Sequence, residues 1–473
     1  MGIRSRARGN DEVTRAARPG PRRAATATAT LLAAALTLTA CAQSPDDGAD
    51  ARSTKSSTKS RKGTPPLPVP RGKGTRAVRD TTAPPDFNGD GHPDLVLDEL
   101  AKGPDDPQGD DAGIGIVYGS ERGLVPGARQ LLSPARTAAE VEGVLPAAFD
   151  TEAACDLDGD GYTDLVVSTD PPFDGQGRPP VPVQLVFGGP EGLSGRAVVL
   201  RVPDRARFGN DWPDHPVCGD FDGDGEADLV LHASSSRLSF LQGPFTRKGA
   251  PAAAGAALPV PGDLPAGPAA DLDGDGTSDL VRAGGGRAKA RVVLGGPQGP
   301  TRPGPALPAA TAHAFGHFAG ARGGAGTGAG TAGLDTALAT GATLRLRPAA
   351  PGLPATTVKT PAPGPLAAGD TDGDGLTDLA LAPADGTRAV TVLPGARTGL
   401  DAGRATTVTP PGGKGDAVQL LALADYDGDG RADLVLRTVH GATRDTVTVH
   451  PGTAKGTAAR PSLAFTSADL LPR

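Results

Sequence analysis

Aromatic side chains are scarce in this chain: Phe, Trp and Tyr make up 3% of its 473 residues, with one Trp and one Met. A core must therefore be filled by Val, Leu, Ala and Ile. Histidine is also thin, at seven scattered residues, and they nominate no catalytic centre. No G-x-S-x-G nucleophile, H-E-x-x-H zinc helix or Walker loop is present. Long hydrophobic runs are missing too. The mildly apolar "AATATATLLAAALTLTA" that ends at residue 40 is too short and too rich in Thr for a secure membrane span. Cysteine is limited to Cys41, Cys155 and Cys218.

Glycine and proline are plentiful instead, at 69 and 48 residues. Smeared evenly, that content would indicate low complexity. Here it punctuates short apolar runs such as "DLVL", "VQLVFGG" and "ARVVLGG", the pattern of an all-β chain with many turns.

The N-terminus reads as an export signal over residues 1–40, with seven arginines from Arg4 to Arg23 ahead of the apolar run. It ends in "LTAC", which resembles the lipobox of bacterial lipoproteins and implies lipidation at Cys41. Residues 41–80 read as a basic tether, rich in Ser, Thr, Lys, Pro and Gly, without an apolar period and unable to fold alone. From residue 81 onward the chain is acidic, with 31 Lys and Arg against 48 Asp and Glu. This argues against nucleic acid as a partner, while the basic tether suits an anionic membrane or wall polymer.

The body, residues 81–473, is a repeat array. "DFNGDGHPDLVL", "DLDGDGYTDLVV", "DFDGDGEADLVL", "DLDGDGTSDLVR", "DTDGDGLTDLAL" and "DYDGDGRADLVL" begin at Asp86, Asp156, Asp220, Asp271, Asp370 and Asp425. Spacings of 51 to 70 residues are broken by one of 99, close to two repeats. Each loop is followed by an apolar tail ending in a Gly or Pro turn, and a seventh tail, "ATLRLRPAAPGL" at 342–353, sits inside the long gap. Seven tails and six loops imply seven units, the fifth without its loop. Units of about 50 to 70 residues with up to four strands form a β-propeller.

The loops carry the chemistry. Carboxylates fall at positions 1, 3, 5 and 9: Asp156, Asp158, Asp160 and Asp164; Asp220, Asp222, Asp224 and Asp228; Asp271, Asp273, Asp275 and Asp279; Asp370, Asp372, Asp374 and Asp378; Asp425, Asp427, Asp429 and Asp433. The first loop has Asp86, Asn88, Asp90 and Asp94, one carboxylate fewer, so its site is expected to be weaker. Position 7, where His92, Tyr162, Glu226, Thr277, Leu376 and Arg431 stand, can add a backbone carbonyl. Several hard oxygen donors in a short loop are what calcium takes, so up to six ions are expected. An EF-hand is excluded, because position 9 runs straight into a strand where an EF-hand needs Glu at position 12 and flanking helices. A solvated acidic turn without an ion is the competing reading.

The pattern D-x-[DN]-G-D-G-x-x-D-L, with its strand and Gly-rich turn, resembles the FG-GAP and VCBS repeats of the integrin alpha-subunit head and of many secreted bacterial proteins. The resemblance spans roughly residues 81–473. It implies a seven-bladed propeller with calcium in the loop joining strands 1 and 2 of a blade. The Phe-Gly and Gly-Ala-Pro signatures of those repeats are weak here, and unit five departs by lacking the loop.

Cys155 and Cys218 lie one and two residues before the first aspartates of adjacent loops, a parity that permits a disulfide between neighbouring blades. "HAFGH" sets His313 and His317 four apart, a metal-binding spacing only on a helix, which the surrounding glycines and prolines disfavour. On the face opposite the acidic loops, the longest connections come from units one to three. One of them carries Phe208, Asn210, Trp212 and His215, a candidate ligand face. The chain therefore reads as a monomeric exported binding module, held at the cell surface by a lipid anchor or secreted, for a glycan, wall polymer or protein. The alternative is an extracellular hydrolase or lyase working in the propeller channel.

Overall fold

A computed structural model describes residues 66–74, 83–100, 112–209, 211–235, 237–260, 265–282, 290–320, 333–349, 353–360, 363–384, 387–441 and 443–471. The expected signal, Cys41, most of the tether and Asn210 lie outside these residues. The rest is nearly all β, folded as a seven-bladed propeller with seven separate antiparallel sheets.

Each "DL" motif opens the second strand of its blade: Asp164–Thr169, Asp228–Ala233, Asp279–Arg282, Asp378–Pro383 and Asp433–Val439, with Leu95–Leu97 in blade 1. These strands are buried on both faces, which is why they read as continuous apolar runs rather than alternating ones. The seven tails form the third strands, Ile114–Val117, Val183–Val186, Arg237–Gln242, Ala290–Leu294, Thr343–Arg347, Val390–Leu393 and Asp445–His450. In blade 2 the register sets Leu165 opposite Val186 and Cys155 opposite Asp164. Blade 5 is complete in its strands, Ala312–Gly316, Asp335–Thr340, Thr343–Arg347 and Thr356–Lys359. Among the described residues blade 1 has three. Pro84 and Pro85 precede its loop and have no N–H to extend a ladder, and the remaining rung is Asp94 N–H to the Pro85 carbonyl at 2.7 Å.

Seven apolar clusters fill the seven junctions between neighbouring blades. One of them joins blade 7 to blade 1 through Leu95, Leu97, Val117, Tyr426, Val435 and Val447, so packing closes the ring. Backbone bonds repeat at the junctions: the carbonyls of Asp86, Asp220 and Asp370 at loop position 1 accept the amides of Thr163, Ser278 and Ala432 at position 8 of the next loop. At the closing junction position 8 is Pro93, which cannot donate. Arg437 reinforces that junction, donating to the Asp98 carbonyl at 3.0 Å and to the Glu99 carbonyl while paired with Asp445 at 2.7 Å.

A disulfide joins Cys155 and Cys218 across the core between blades 2 and 3, with Cα atoms 6.6 Å apart. His313 lies on a strand, not a helix, and its Nε2 is buried without a partner.

One segment of the expected tether does not behave as open chain. Residues 66–74, "PLPVPRGKG", pack against blade 1, with the Leu67 amide bonded to the Gly127 carbonyl at 2.7 Å and Val69 against the core shared by blades 1 and 2. Prolines at alternate positions hold this stretch extended and lower the entropy cost of laying it down.

Candidate functional site

The acidic loops are wound by their own side chains. In the second loop Asp156 Oδ1 accepts the Gly159 amide at 2.9 Å and Oδ2 the Gly161 amide at 2.8 Å, while Asp160 Oδ1 accepts the Tyr162 amide at 3.2 Å. Both glycines have positive φ, 72° and 89°, a backbone that other residues adopt only with strain. The same glycine pair recurs with positive φ in all six loops. Position 7 is fixed through its backbone, so its side chain is free to vary from His92 to Leu376.

Position 9 has a role that its place in the motif did not reveal. Asp164 Oδ2 accepts the Leu157 amide at 2.8 Å and Oδ1 the Gly188 amide at 2.8 Å, tying the loop to the turn after the third strand. Asp94, Asp228, Asp279, Asp378 and Asp433 repeat this clamp on Phe87 and Gly119, Phe221 and Gly243, Leu272 and Gly295, Thr371 and Gly395, and Tyr426 and Gly452. The turn residue is glycine because a Cβ there would press on the carbonyl of position 8, as at Gly188 against Thr163. Blade 5 keeps the clamp without the loop: Asp335 accepts the amides of Ala319 at 2.8 Å and Ala349 at 2.7 Å. "LDTALA" at 334–339 parallels "TDLALA" at 377–382, the signal from which Asp335 could have been found. Position 2 was likewise missed. Phe87, Leu157, Phe221 and Tyr426 are buried plugs of the junction cores, and even the Thr371 side chain is buried there.

Among the described residues, five acidic triads bring ligand oxygens within 4.8 Å of one another. In the second, third and fourth loops these are positions 1, 3 and 9: Asp156, Asp158 and Asp164; Asp220, Asp222 and Asp228; Asp271, Asp273 and Asp279. In the sixth and seventh blades they are positions 1, 3 and 5: Asp370, Asp372 and Asp374; Asp425, Asp427 and Asp429. The first loop forms no such triad. Burial pushes Asp164 and Asp228 up to about 8, Asp279 to about 7, and Asp378 and Asp433 to about 6. Burial, then the neighbouring Asp160, raises Asp158 to about 6.

The donor set fits a hard cation. The Asp158 side chain is 9% exposed, and its Oδ1 is buried with no hydrogen-bond partner. An unpartnered buried carboxylate oxygen is costly, and a cation among Asp156, Asp158 and Asp164 would satisfy it. Arginines supply part of the missing charge. Arg247 places Nε 2.7 Å from Asp158 Oδ2 and Nη2 2.6 Å from Asp160 Oδ2, Arg302 pairs with Asp275, and Arg404 stands 3.8 Å from Asp372. In the third loop Gln242 donates to Asp222 at 2.7 Å instead.

The opposite face carries the aromatic residues. Trp212 is half-buried and meets Phe173 edge-on, ring centroids 5.4 Å apart. Phe208 is 44% exposed beneath the Arg237 guanidinium, 4.2 Å from its ring centre. His215 holds Asp214 at 3.0 Å, and Asp214 also meets His232 at 3.2 Å. The loops here are tied together. Asp170 accepts the Ala147 and Ala148 amides, Arg207 donates to the Pro179 carbonyl, and Arg178 pairs with Asp204.

Family models match two stretches of the chain. The FG-GAP repeat matches residues 150–178, the inner hairpin and acidic loop of blade 2, and the FG-GAP-like repeat matches 370–436, from the loop of blade 6 into blade 7. No curated protein matches the chain. Among solved structures, the chain is similar to a crystal structure of BBS1N in complex with ARL6DN soaked with mercury, at 12% identity over 69% of this chain and 93% of that one, TM-score 0.38. It is also similar to the lead-soaked form, at 12% identity over 81% and 94%, TM-score 0.42. The protein is a seven-bladed β-propeller in which two stretches match FG-GAP and FG-GAP-like repeats.

Proposed function

We propose that this protein is an exported, calcium-braced binding module that takes a glycan, wall polymer or protein on the face opposite its acidic loops. One observation carries the reading. Of the five exposed large apolar side chains among the described residues, Val144, Leu145, Phe173 and Phe208 all stand on connections of that face, in blades 1 to 3. Exposed apolar groups gathered on mutually braced loops mark an interaction site better than scattered ones do. Aromatic rings beside them can stack on sugars or fill a partner's pockets.

Calcium supports the face from behind. When bound, the ion supplies the positive charge that lets the crowded carboxylates stay ionised. Asp156, Asp158 and Asp164 and their counterparts in the other four triads would hold it. Those loops connect the first two strands of a blade, so the ion stiffens the frame rather than contacting the partner. Export and lipidation at Cys41 rest on the sequence alone, and labelling with a radioactive fatty acid in wild type and Cys41→Ala tests them.

The binding reading is tested by capture from cell-wall polysaccharide, glycan arrays and surface-protein extracts, with the immobilised protein in calcium and in chelator. Saturable capture that a Phe208→Ser change abolishes is expected. Capture unchanged by substitutions at Phe173, Phe208 and Trp212 would place the site elsewhere.

A further inference from the structure

The first acidic loop differs from the others in what lies on it. Gly72 and Lys73 donate their amides to the carbonyls of Asn88 and Gly89 at 3.2 and 3.1 Å. Asn88 is fully buried, and its Nδ2 donates both to the Pro70 carbonyl at 2.9 Å and to Asp90 Oδ2 at 3.1 Å. Gly72 sits so close to Gly89 that a Cβ on it would collide with the loop backbone, and Arg71 pairs with Glu191 on blade 2. The segment is thus bonded into the loop rather than resting near it.

We infer that the first loop is a clamp for the chain's own residues 66–74, and that this strap and a calcium ion exclude each other there. This rests on the calcium reading of the other loops. A cation needs oxygen donors pointing inward, yet Asn88 turns its amide NH2 toward Asp90. Reversing that amide would set Asn88 Oδ1 against the Pro70 carbonyl, two acceptors at hydrogen-bond distance beside a side chain that is itself fully buried. The strap therefore locks position 3 as a donor. Aspartate at the same place would meet the same Pro70 carbonyl with negative charge, which explains why the one loop with Asn is the one beneath the strap. The consequence is that residues 66–74 are fixed on the calcium-loop face, away from the aromatic residues of the opposite face.

The test counts ions and follows the strap in the full mature chain. Equilibrium dialysis against calcium should give five bound ions for the wild type, one per acidic triad. Amide exchange at Gly72 and Lys73 should be slow with and without calcium. Gly72→Val, which has no room against Gly89, should release those amides and gain one ion. Asn88→Asp, which retains the strap sequence, should make protection at Gly72 fall as calcium is added. Six ions on the wild type with the strap amides still protected would overturn the exclusion while leaving calcium intact. A Gly72→Val protein that exchanges fast yet gains no ion would also overturn it. No bound calcium in any variant would sink the calcium reading and the exclusion with it.

Discussion

Asp335 accepts the Ala349 amide at 2.7 Å in the one blade that has no acidic loop beside it. Its other oxygen holds Ala319 at 2.8 Å, so the position-9 carboxylate is retained where no ion is expected. The clamp is thus a structural device of every blade, and in blades 2 to 4 the same carboxylate also faces the cation triad. Asp335→Ala should lower stability by about 3 kcal/mol, because two half-buried amides lose a charged acceptor. The loss should be the same in calcium and in chelator, since this blade has no triad. Denaturant melts of wild type and variant in both conditions check it, and a loss seen only in calcium would contradict a purely structural clamp.

The loops of the other blades should behave in the opposite way. With a dissociation constant of about 0.1 mM, 1 mM calcium adds roughly 1.4 kcal/mol per occupied site. Across the five triads that amounts to about 7 kcal/mol, a large part of a domain's stability. The melting temperature should fall sharply in chelator, and Asp158→Asn should remove part of the calcium-dependent increment. An identical melt with and without calcium at matched ionic strength would eliminate the ion.

Much of this was legible from spacing. Seven tails and six loops placed seven blades because the turn chemistry repeats at nearly fixed offsets, and glycines mark where a Cβ would strike a carbonyl. Less legible was whatever depends on contacts between repeats. Position 2 looked like a spacer between aspartates, yet Phe87 and Phe221 are core plugs, and only packing between blades reveals that. The strap was hidden because "PLPVPRGKG", short and rich in Pro and Gly, reads as open chain when taken alone. It is ordered by backbone bonds to Asn88 and Gly89, which composition does not register.

Trp212 separates binding from folding. It is half-buried and leans on Phe173, while its loop is held independently by the Arg207 and Arg178 contacts. Trp212→Ala should weaken partner capture at least tenfold, as loss of an aromatic anchor does, and leave the calcium-dependent melt nearly unchanged. A parallel loss of stability and capture would assign the ring to the core.

The same loop carries a titratable latch. Asp214 meets the Nδ1 atoms of His215 and His232 at 3.0 and 3.2 Å, and the His232 ring is the more enclosed of the two, at 18% exposure. The hydrogen bond to Asp214 raises the pKa of His232 above its ordinary 6.5, and burial only partly opposes it. A histidine whose folded pKa exceeds its unfolded one binds its proton more tightly in the native state. Its stabilisation is therefore complete below about pH 6.5 and is lost as pH rises through the higher folded value. In saturating calcium, which keeps the acidic loops ionised throughout, wild type should melt at progressively lower temperature above pH 6.5. His232→Gln should flatten that slope, and the protection factor at Trp212, which removes the intrinsic base catalysis of amide exchange, should fall with pH only in wild type. Equal slopes in the two proteins would show that Asp214 and His232 do not hold the loop.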